Sequence, residues 1–108
     1  MNASEIIAAL SSRGWKRIAV SGSVVFARVD GVRIMLRFDG AMMFEPVDGE
    51  HVMGTSIVLL IDGVERGRIE RWPLLPEEEI STLEEAARLV EVVVRTGDDV
   101  AVEMNDER

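Results

Sequence analysis

The segment VVFARVDGVRIMLRF (residues 24–38) defines the centre of the predicted fold, because it has the pattern of two β-strands joined by a two-residue turn. Asp-Gly between two apolar runs is the strongest short signal for a β-hairpin, since both central residues of a type I′ turn need positive φ angles. A hairpin closed at Asp30 and Gly31 places Arg28 directly opposite Arg33. The stretch therefore predicts an antiparallel hairpin with a defined register.

This register sorts the side chains of the hairpin onto two faces of a sheet. One face carries no charge and is expected to cover the core, whereas the other mixes arginines with Phe and Met. Arginines opposite each other repel, and a solvent face has no folding reason to carry large apolar side chains, so the second face needs a functional explanation. The uncharged face holds Val25, Ala27, Val29, Val32, Ile34 and Leu36; the other holds Val24, Phe26, Arg28, Arg33, Met35 and Arg37.

Asp-Gly recurs at 39–40 and 62–63, again between apolar runs, and this predicts an antiparallel meander of about five or six strands. A turn at 39–40 pairs Arg37 with Met42 and Met35 with Phe44, which adds Met42 and Phe44 to the arginine face. The predicted strands are 15–20, 24–29, 32–38, 41–45, 55–61 and 64–70.

Further residues could extend the arginine face. Arg66 and Arg68 are expected on one face of the last hairpin. Trp15 and Trp72 border predicted strands, and their face depends on a strand order that the sequence does not define.

Helix signals flank the predicted sheet. Ser4 is expected to cap a short helix over about residues 5–12, with Gly14 as the C-cap. The segment STLEEAARLVEVVVRTG carries a Ser-x-x-Glu capping box and a terminal glycine, which predicts the main helix over 82–96. Its apolar stripe is wider than one sheet face requires, so it is either a well-buried core helix or also packs against a second subunit.

The expected fold is therefore α+β: an antiparallel sheet with a short N-terminal and a longer C-terminal helix on one face. Residues 1–97 are expected to form a single domain, and residues 98–108 are expected to form an acidic, mobile tail. The chain has 108 residues and a net charge of −8, and the acidic excess lies wholly after residue 72. Residues 13–44 instead carry six basic and two acidic side chains, which indicates a basic working surface.

Several classes of protein are excluded or disfavoured. The longest apolar run, IVLLI at 57–61, is too short to cross a bilayer, and no signal sequence is evident, so we expect a soluble cytoplasmic protein. The absence of cysteine excludes disulfides, zinc-thiolate sites and cysteine nucleophiles. Glutamine is absent and asparagine is scarce, which is compatible with a thermophilic source.

No enzyme signature is present. His51 is the sole histidine, and the sequence has neither a phosphate-binding P-loop nor a dinucleotide-binding glycine motif. The loop EPVDGEH (45–51) contains residue types suited to a divalent cation, but polar loops between strands contain such residues routinely. We therefore expect no catalytic residues, no metal and no cofactor.

The arginine face is best interpreted as a platform for single-stranded nucleic acid. Guanidinium groups bind phosphates, and aromatic or soft apolar side chains accept unpaired bases without reading their sequence. The alternative is that another layer or subunit covers this face and that its arginines pair with Glu45, Glu65 or Glu70. The predicted binding residues are Phe26, Arg28, Arg33, Met35, Arg37, Met42, Phe44, Arg66 and Arg68.

This layout, with FARVDGVRIMLRF at its centre, resembles the ThermoDBP-related single-stranded DNA-binding proteins of thermophilic archaea. The resemblance spans roughly residues 5–96 and is one of layout. It implies that the sheet face binds single strands, DNA rather than RNA, that no cofactor is needed, and that the protein assembles as dimers or larger. For this chain we expect a homodimer formed through the C-terminal helix. Base stacking would fall to Phe26, Met35, Met42 and Phe44, and phosphate binding to Arg28, Arg33 and Arg37.

A second reading belongs to a different class. Small acidic dimers of this layout also resemble secretion or assembly chaperones, whose exposed apolar sheet binds an extended client segment. Phe26, Met35 and Phe44 would suit that role. The acidic tail could screen the basic sheet, offer Val100, Val102 and Met104 to a protein partner, or simply aid solubility.

Overall fold

A computed structural model describes residues 2–44, 52–71, 76–98 and 103–105. Its elements are α1 (Ala3–Ser11), β1 (Lys16–Ser21), β2 (Val24–Val29), β3 (Val32–Phe44), β4 (Val52–Ile61), β5 (Val64–Arg71), a 3₁₀ turn (Pro76–Glu78), α2 (Glu79–Thr96) and β6 (Glu103–Asn105). The described strands form one sheet in chain order, antiparallel from β1 to β5 and parallel between β5 and β6. The predicted α+β fold, with both helices against an antiparallel sheet, is confirmed.

One hydrophobic core lies between the sheet and the two helices. Leu36 of β3 and Leu59 of β4 are fully buried beneath Leu83 and Val90 of α2 in a single apolar cluster. Burying a side chain of this size stabilises the fold by about 1.5–3 kcal/mol. The strand period of two and the helical period of 3.6 thus place their apolar residues in the same layer.

The apolar stripe of α2 is buried within the single chain. Ala86, Ala87 and Val93 are fully buried, and Leu89 and Val94 pack against the core while remaining partly exposed. Large apolar side chains that the described residues expose are Ile7, Phe26 and Val64, none of which belongs to α2. The helix therefore behaves as a core helix, and a subunit contact through it stays a prediction.

The hairpin between β2 and β3 has the predicted register. Arg28 pairs with Arg33 and Phe26 with Met35. Asp30 and Gly31 adopt φ angles of 49° and 80°, as a type I′ turn requires. The face assignment made from the sequence is therefore correct for β2 and for β3 up to Arg37.

The turn predicted at Asp39 and Gly40 is wrong. Strand β3 continues through both residues to Phe44 and carries a register shift between Phe38 and Ala41. An extra residue in β3 forms a bulge there, so the chain bends without reversing. Strand β4 is consequently the neighbour of β3, and the buried apolar residues of these two strands face each other.

The helix ends differ from the predicted ones by a few residues. Asn2, not Ser4, caps α1: its Oδ1 accepts a hydrogen bond from the Glu5 backbone N–H at 2.9 Å. Helix α2 starts at Glu79, and the Ser81 hydroxyl donates backward to the Glu78 carbonyl at 3.0 Å instead of capping the helix. Gly97 ends α2 as predicted, with φ 78°.

A three-residue clamp fixes the N-terminal segment to α2. Glu91 accepts hydrogen bonds from Arg13 Nε and Nη2 at 2.8 and 2.7 Å and from Trp15 Nε1 at 2.8 Å. Burial pulls the pKa of Glu91 upward, but the hydrogen bonds from Arg13 and Trp15 outweigh it and hold that pKa below its ordinary value. Trp15 is buried on the helix side of the sheet, so it does not extend the arginine face.

Part of the predicted tail lies beside the sheet. Residues 103–105 form β6, which pairs with Ile69, Glu70 and Arg71 of β5. The mobility of the tail stays a prediction. Neither described helix combines the length and the apolar character that a membrane crossing needs.

Candidate nucleic-acid interface

The sheet face opposite the helices, called here the open face, carries the arginines. Its residues are Val24, Phe26 and Arg28 of β2, Arg33, Met35, Arg37 and Asp39 of β3, Ser56, Val58 and Leu60 of β4, and Glu65, Arg68 and Glu70 of β5. None of these side chains belongs to the apolar cluster between the sheet and the two helices. In the described part of the chain no helix packs on this face.

The strand register arranges the open face in parallel rows that run across the strands. Phe26, Met35 and Leu60 lie side by side in one apolar row. On one side the neighbouring row contains Arg28 and Arg33. On the other side it contains Arg37, Val58 and Arg68. Rows are about 6.7 Å apart because side chains on one face recur every second residue.

The Phe26 end of the open face consists of Phe26, Arg17, Arg28 and Arg33. Phe26 is 42% exposed, which is unusual for an aromatic side chain in a sheet. Arg33 is exposed and forms no ion pair with any described residue, while Arg28 Nη1 donates to the Gly31 carbonyl at 2.7 Å. No carboxylate of the described residues therefore forms an ion pair with the guanidinium groups at this end.

Shallow grooves run on both sides of Phe26. One, of about 180 Å³, is lined by Arg17, Phe26, Arg28 and Arg33. A second, of about 530 Å³, is lined by Phe26, Arg33, Met35 and Leu60 together with the turn at 62–63. Phe26 and Arg33 thus belong to both grooves and join them into one surface.

The ion-pair end of the open face consists of Arg37, Asp39, Glu65, Arg68 and Glu70. Arg37 Nε binds Asp39 Oδ1 at 2.7 Å, and Arg68 contacts Glu65 and Glu70 at 3.3 and 3.5 Å. The hydrogen bond from Arg37 lowers the pKa of Asp39 below its ordinary value. The carboxylates therefore largely offset the charges of these two arginines. The pairing of Arg68 with Glu65 and Glu70 is the kind of ion pair that the alternative interpretation of the sequence predicted.

Val58 shows how closely the ion-pair end is covered. Its register position lies between Arg37 and Arg68, and its side chain is fully buried although it lies on the open face. Long arginine stems cover apolar neighbours in this way while their charged heads reach carboxylates. This end consequently offers less apolar surface to a ligand than the Phe26 end.

Arg66 does not share a face with Arg68, contrary to the prediction. The register shift in β5 falls opposite Leu59 and Leu60 and leaves Arg66 as the extra residue of a bulge. Its Nη2 donates to the Gly97 carbonyl at the C-terminal end of α2, at 2.5 Å. A cation at this position satisfies a terminal carbonyl and complements the helix dipole, so Arg66 has a structural role there.

Several predicted residues cannot be assigned to the open face by their side chains. Backbone pairing places Met42 opposite Gly54 and Phe44 opposite Val52, not opposite Arg37 and Met35 as predicted. The side chains of Met42 and Phe44, all of Trp72 and the polar loop 45–51 lie outside the described residues. The described site thus contains Phe26, Arg28, Arg33, Met35, Arg37 and Arg68.

Arg17 is the site residue that the sequence reasoning missed. Strand β1 carries a register shift between Lys16 and Ala19, and Arg17 lies in this bulge with φ 55°. Ala19 pairs with Phe26 and Lys16 with Arg28, so the bulge brings Arg17 to the edge of the same groove. Two adjacent basic residues at the start of a strand were the available signal, but they do not reveal a bulge.

The open face offers cationic hydrogen-bond donors beside an apolar row. Within the described residues, no three His, Asp or Glu side chains are grouped as a metal site would need. No protein-family model, curated protein or solved structure matches this chain. The side chains of the open face are therefore the basis on which a function can be proposed.

Proposed function

We propose that this protein binds single-stranded DNA on the open face, largely without sequence preference and without catalysis. The observation that carries the proposal is the exposed Phe26 ring flanked by arginines that have no carboxylate partner among the described residues. A protein that used this face only for solubility would gain nothing from exposing a phenyl ring there.

The rows of the open face suit an extended strand. Unpaired bases would lie on the apolar row of Phe26, Met35 and Leu60, and phosphates would meet Arg28 and Arg33 in the adjacent row. Stacking on an aromatic ring contributes about 1–3 kcal/mol per base. Phe26 is the one aromatic side chain that the described open face exposes, so a single base is expected to dominate the stacking energy.

The affinity should depend on salt because phosphate contacts release counterions. For single strands the slope of log K against log salt concentration is about −0.7 for each neutralised phosphate. Contacts from Arg17, Arg28 and Arg33 therefore predict a slope of about −2. The ion-pair end adds little to this slope, because Arg37 and Arg68 already have carboxylate partners.

Fluorescence anisotropy with a labelled oligothymidine and a duplex of equal length, over a salt series, tests the proposal. The single strand should bind with micromolar or tighter affinity and the duplex more weakly. The double variant Arg28→Ala/Arg33→Ala should weaken binding and flatten the slope to about −0.7. Arg88→Ala/Arg95→Ala, which removes two exposed arginines from α2, is the matched control and should bind like the parent.

Two outcomes would contradict the proposal. One is the absence of oligothymidine binding at low salt. The other is an equal effect of the two double variants, which would show that net charge matters and position on the open face does not.

The proposal also covers the type of nucleic acid, the cellular location and the oligomeric state. We propose DNA in preference to RNA, a cytoplasmic location in a thermophilic archaeon, and a homodimer that uses α2. The half-buried side chains of Leu89 and Val94 are the part of the α2 stripe that a second copy could still cover. Sedimentation equilibrium of the parent and of Leu89→Glu tests the dimer, since the substitution would lower the measured molar mass only if the parent is dimeric.

The acidic tail is proposed as a contact for a protein partner.

A protein-interaction module is the second candidate function. The neutralised arginines of the ion-pair end favour it, because a protein client does not need the free positive charge that a polyanion requires. An extended client segment could lie along the apolar row of Phe26, Met35 and Leu60. Binding to a client that is insensitive to salt, with no binding of oligothymidine, would favour this function over the first.

A further inference from the structure

The arginines at the Phe26 end are more concentrated than a uniform track along a DNA strand requires. Arg17, Arg28 and Arg33 lie on β1, β2 and β3, respectively. Together with Phe26 they line one groove of about 180 Å³. A track that follows a backbone needs roughly one cation for each phosphodiester, which carries a single negative charge. Three guanidinium groups around one groove therefore match a more highly charged group.

The backbone at Arg17 supports a specific role for its side chain. Its φ of 55° belongs to the left-handed region, which L-residues other than Asn and Asp rarely adopt. Glycine would fit this position in the bulge without strain, yet the chain carries an arginine whose exposed side chain lines the groove. Strained backbone at a binding surface is a recognised sign of function.

The neighbouring groups do not neutralise this cluster. Arg17 and Arg33 form no ion pair with a described residue, and within the same residues Arg28 forms one side-chain hydrogen bond, from Nη1 to the Gly31 carbonyl. Lys16 and Asp30 border the adjoining groove of about 320 Å³ and bring one charge of each sign, whereas Asp62 lines the groove of about 530 Å³ beside Arg33 and brings one negative charge. The cluster therefore keeps a net charge of about two positive units next to an exposed phenyl ring.

A terminal phosphate monoester matches this site. It carries a charge of about −1.5 to −2 at pH 7 and offers three acceptor oxygens, whereas an internal diester carries a charge of −1. Guanidinium groups bind such oxygens through paired N–H donors. The base of the same nucleotide would lie against the ring of Phe26, at the place where the two grooves meet.

We propose that the Phe26 end is a subsite for the terminal nucleotide of a DNA strand that bears a phosphate monoester. Arg17, Arg28 and Arg33 hold the phosphate and Phe26 holds the terminal base. This inference rests on the proposed function, because it assigns one end of the ligand to one end of the open face. It predicts that the protein occupies strand ends in preference to strand interiors.

The test compares oligothymidine of one length with a 5′-phosphate, with a 3′-phosphate and with hydroxyls at both ends, each labelled internally. At fixed salt, one phosphorylated form should bind roughly tenfold more tightly than the hydroxyl form, as a few added charge-assisted hydrogen bonds would give. The form that binds more tightly identifies which end the site receives. Inorganic phosphate should compete more strongly against that form than against the hydroxyl form.

Variants at position 17 connect the preference to the arginine. Arg17→Gly removes the guanidinium and suits the backbone, so it should bring the affinity ratio of phosphorylated to hydroxyl oligothymidine close to one. Arg17→Lys retains the charge and should keep part of the preference. Arg95→Ala on α2 removes an arginine outside the site and should leave the ratio unchanged.

The failures of the two proposals can be told apart. Equal binding of all three oligonucleotides overturns the terminal-phosphate subsite while single-strand binding stands. A preference that survives Arg17→Gly in full also overturns it. Absence of binding to any of the three overturns the proposed function and the subsite together.

Discussion

Replacing Glu91 by glutamine tests how the N-terminal segment is held to α2. The carboxylate accepts three hydrogen bonds, two of them from Arg13 and one from the Trp15 indole. A hydrogen bond to a charged group contributes about 1.5–3 kcal/mol and a neutral one about 1 kcal/mol. Glutamine keeps one acceptor oxygen but loses the charge and the paired contact with Arg13. The side chain of Glu91 is 28% exposed, so solvent screens part of the interaction.

We therefore expect Glu91→Gln to lower the free energy of unfolding by about 2 kcal/mol. For a domain of this size that corresponds to a fall in Tm of roughly 10 °C. Urea and thermal denaturation followed by circular dichroism at pH 7 measure both quantities. Glu84→Gln is the control, because Glu84 is an exposed carboxylate on the same helix, and its removal should change stability by less than about 0.5 kcal/mol.

The stability difference between the parent and Glu91→Gln should also depend on pH in a defined direction. The folded-state pKa of Glu91 lies below its ordinary value of 4.5, so the stabilisation is complete above pH 4.5 and is lost as the pH falls through the folded value. The stability gap between the parent and Glu91→Gln should therefore be largest near neutral pH and narrow in acid. A gap below about 0.5 kcal/mol at pH 7, or one that stays constant until the parent unfolds, would refute this reasoning.

Three further substitutions have expected outcomes. Arg37→Ala should change the salt slope of oligothymidine binding by clearly less than the 0.7 or so expected for Arg33→Ala, because Asp39 already neutralises Arg37; a salt series measures both. Gly97→Ala should destabilise the fold by about 1 kcal/mol in urea denaturation, since φ at this position is 78°. Asn2→Ala should cost about 1 kcal/mol, measured in the same way, because it removes the cap of α1.

The hairpin around Asp30 and Gly31 shows what the sequence can establish. Turn chemistry and alternation are local properties, and together they determine which residues of β2 and β3 face the core. The two helices followed from equally local signals, a helical apolar period and Gly97. These elements were correctly predicted because no distant part of the chain competes with the local preference.

The errors arise where distant pairing decides the structure. Asp39-Gly40 has the same composition as the true turns at 30–31 and 62–63. In the structure, however, Phe38 and Leu36 of β3 pair with Ile57 and Leu59 of β4. A turn at 39–40 would place residues 41–44 beside β3 in the position that β4 occupies. A bulge satisfies both requirements, and its position cannot be read from local sequence. The bulge at Arg66 likewise turns that arginine away from Arg68 and toward α2.

The sequence predicted the residues of the candidate site that lie on the β2–β3 hairpin, but not how charge is distributed over the rest of the face. Phe26, Arg28, Arg33 and Met35 share the open face because the hairpin register is local. The pairing of Arg37 with Asp39 depends on the continued strand, which the predicted turn had removed. Positive charge and exposed apolar surface are consequently concentrated at the Phe26 end and are not spread evenly over the sheet.

Photochemical crosslinking is the sharpest test of DNA binding on the open face, because it reports which side chain touches the bases. An oligothymidine containing 5-iododeoxyuridine would be bound at low salt, irradiated and digested with trypsin, and the crosslinked peptide identified by mass spectrometry. We expect a crosslink at Phe26, within the peptide of residues 18–28. Crosslinks confined to peptides of α1 or α2 would contradict it.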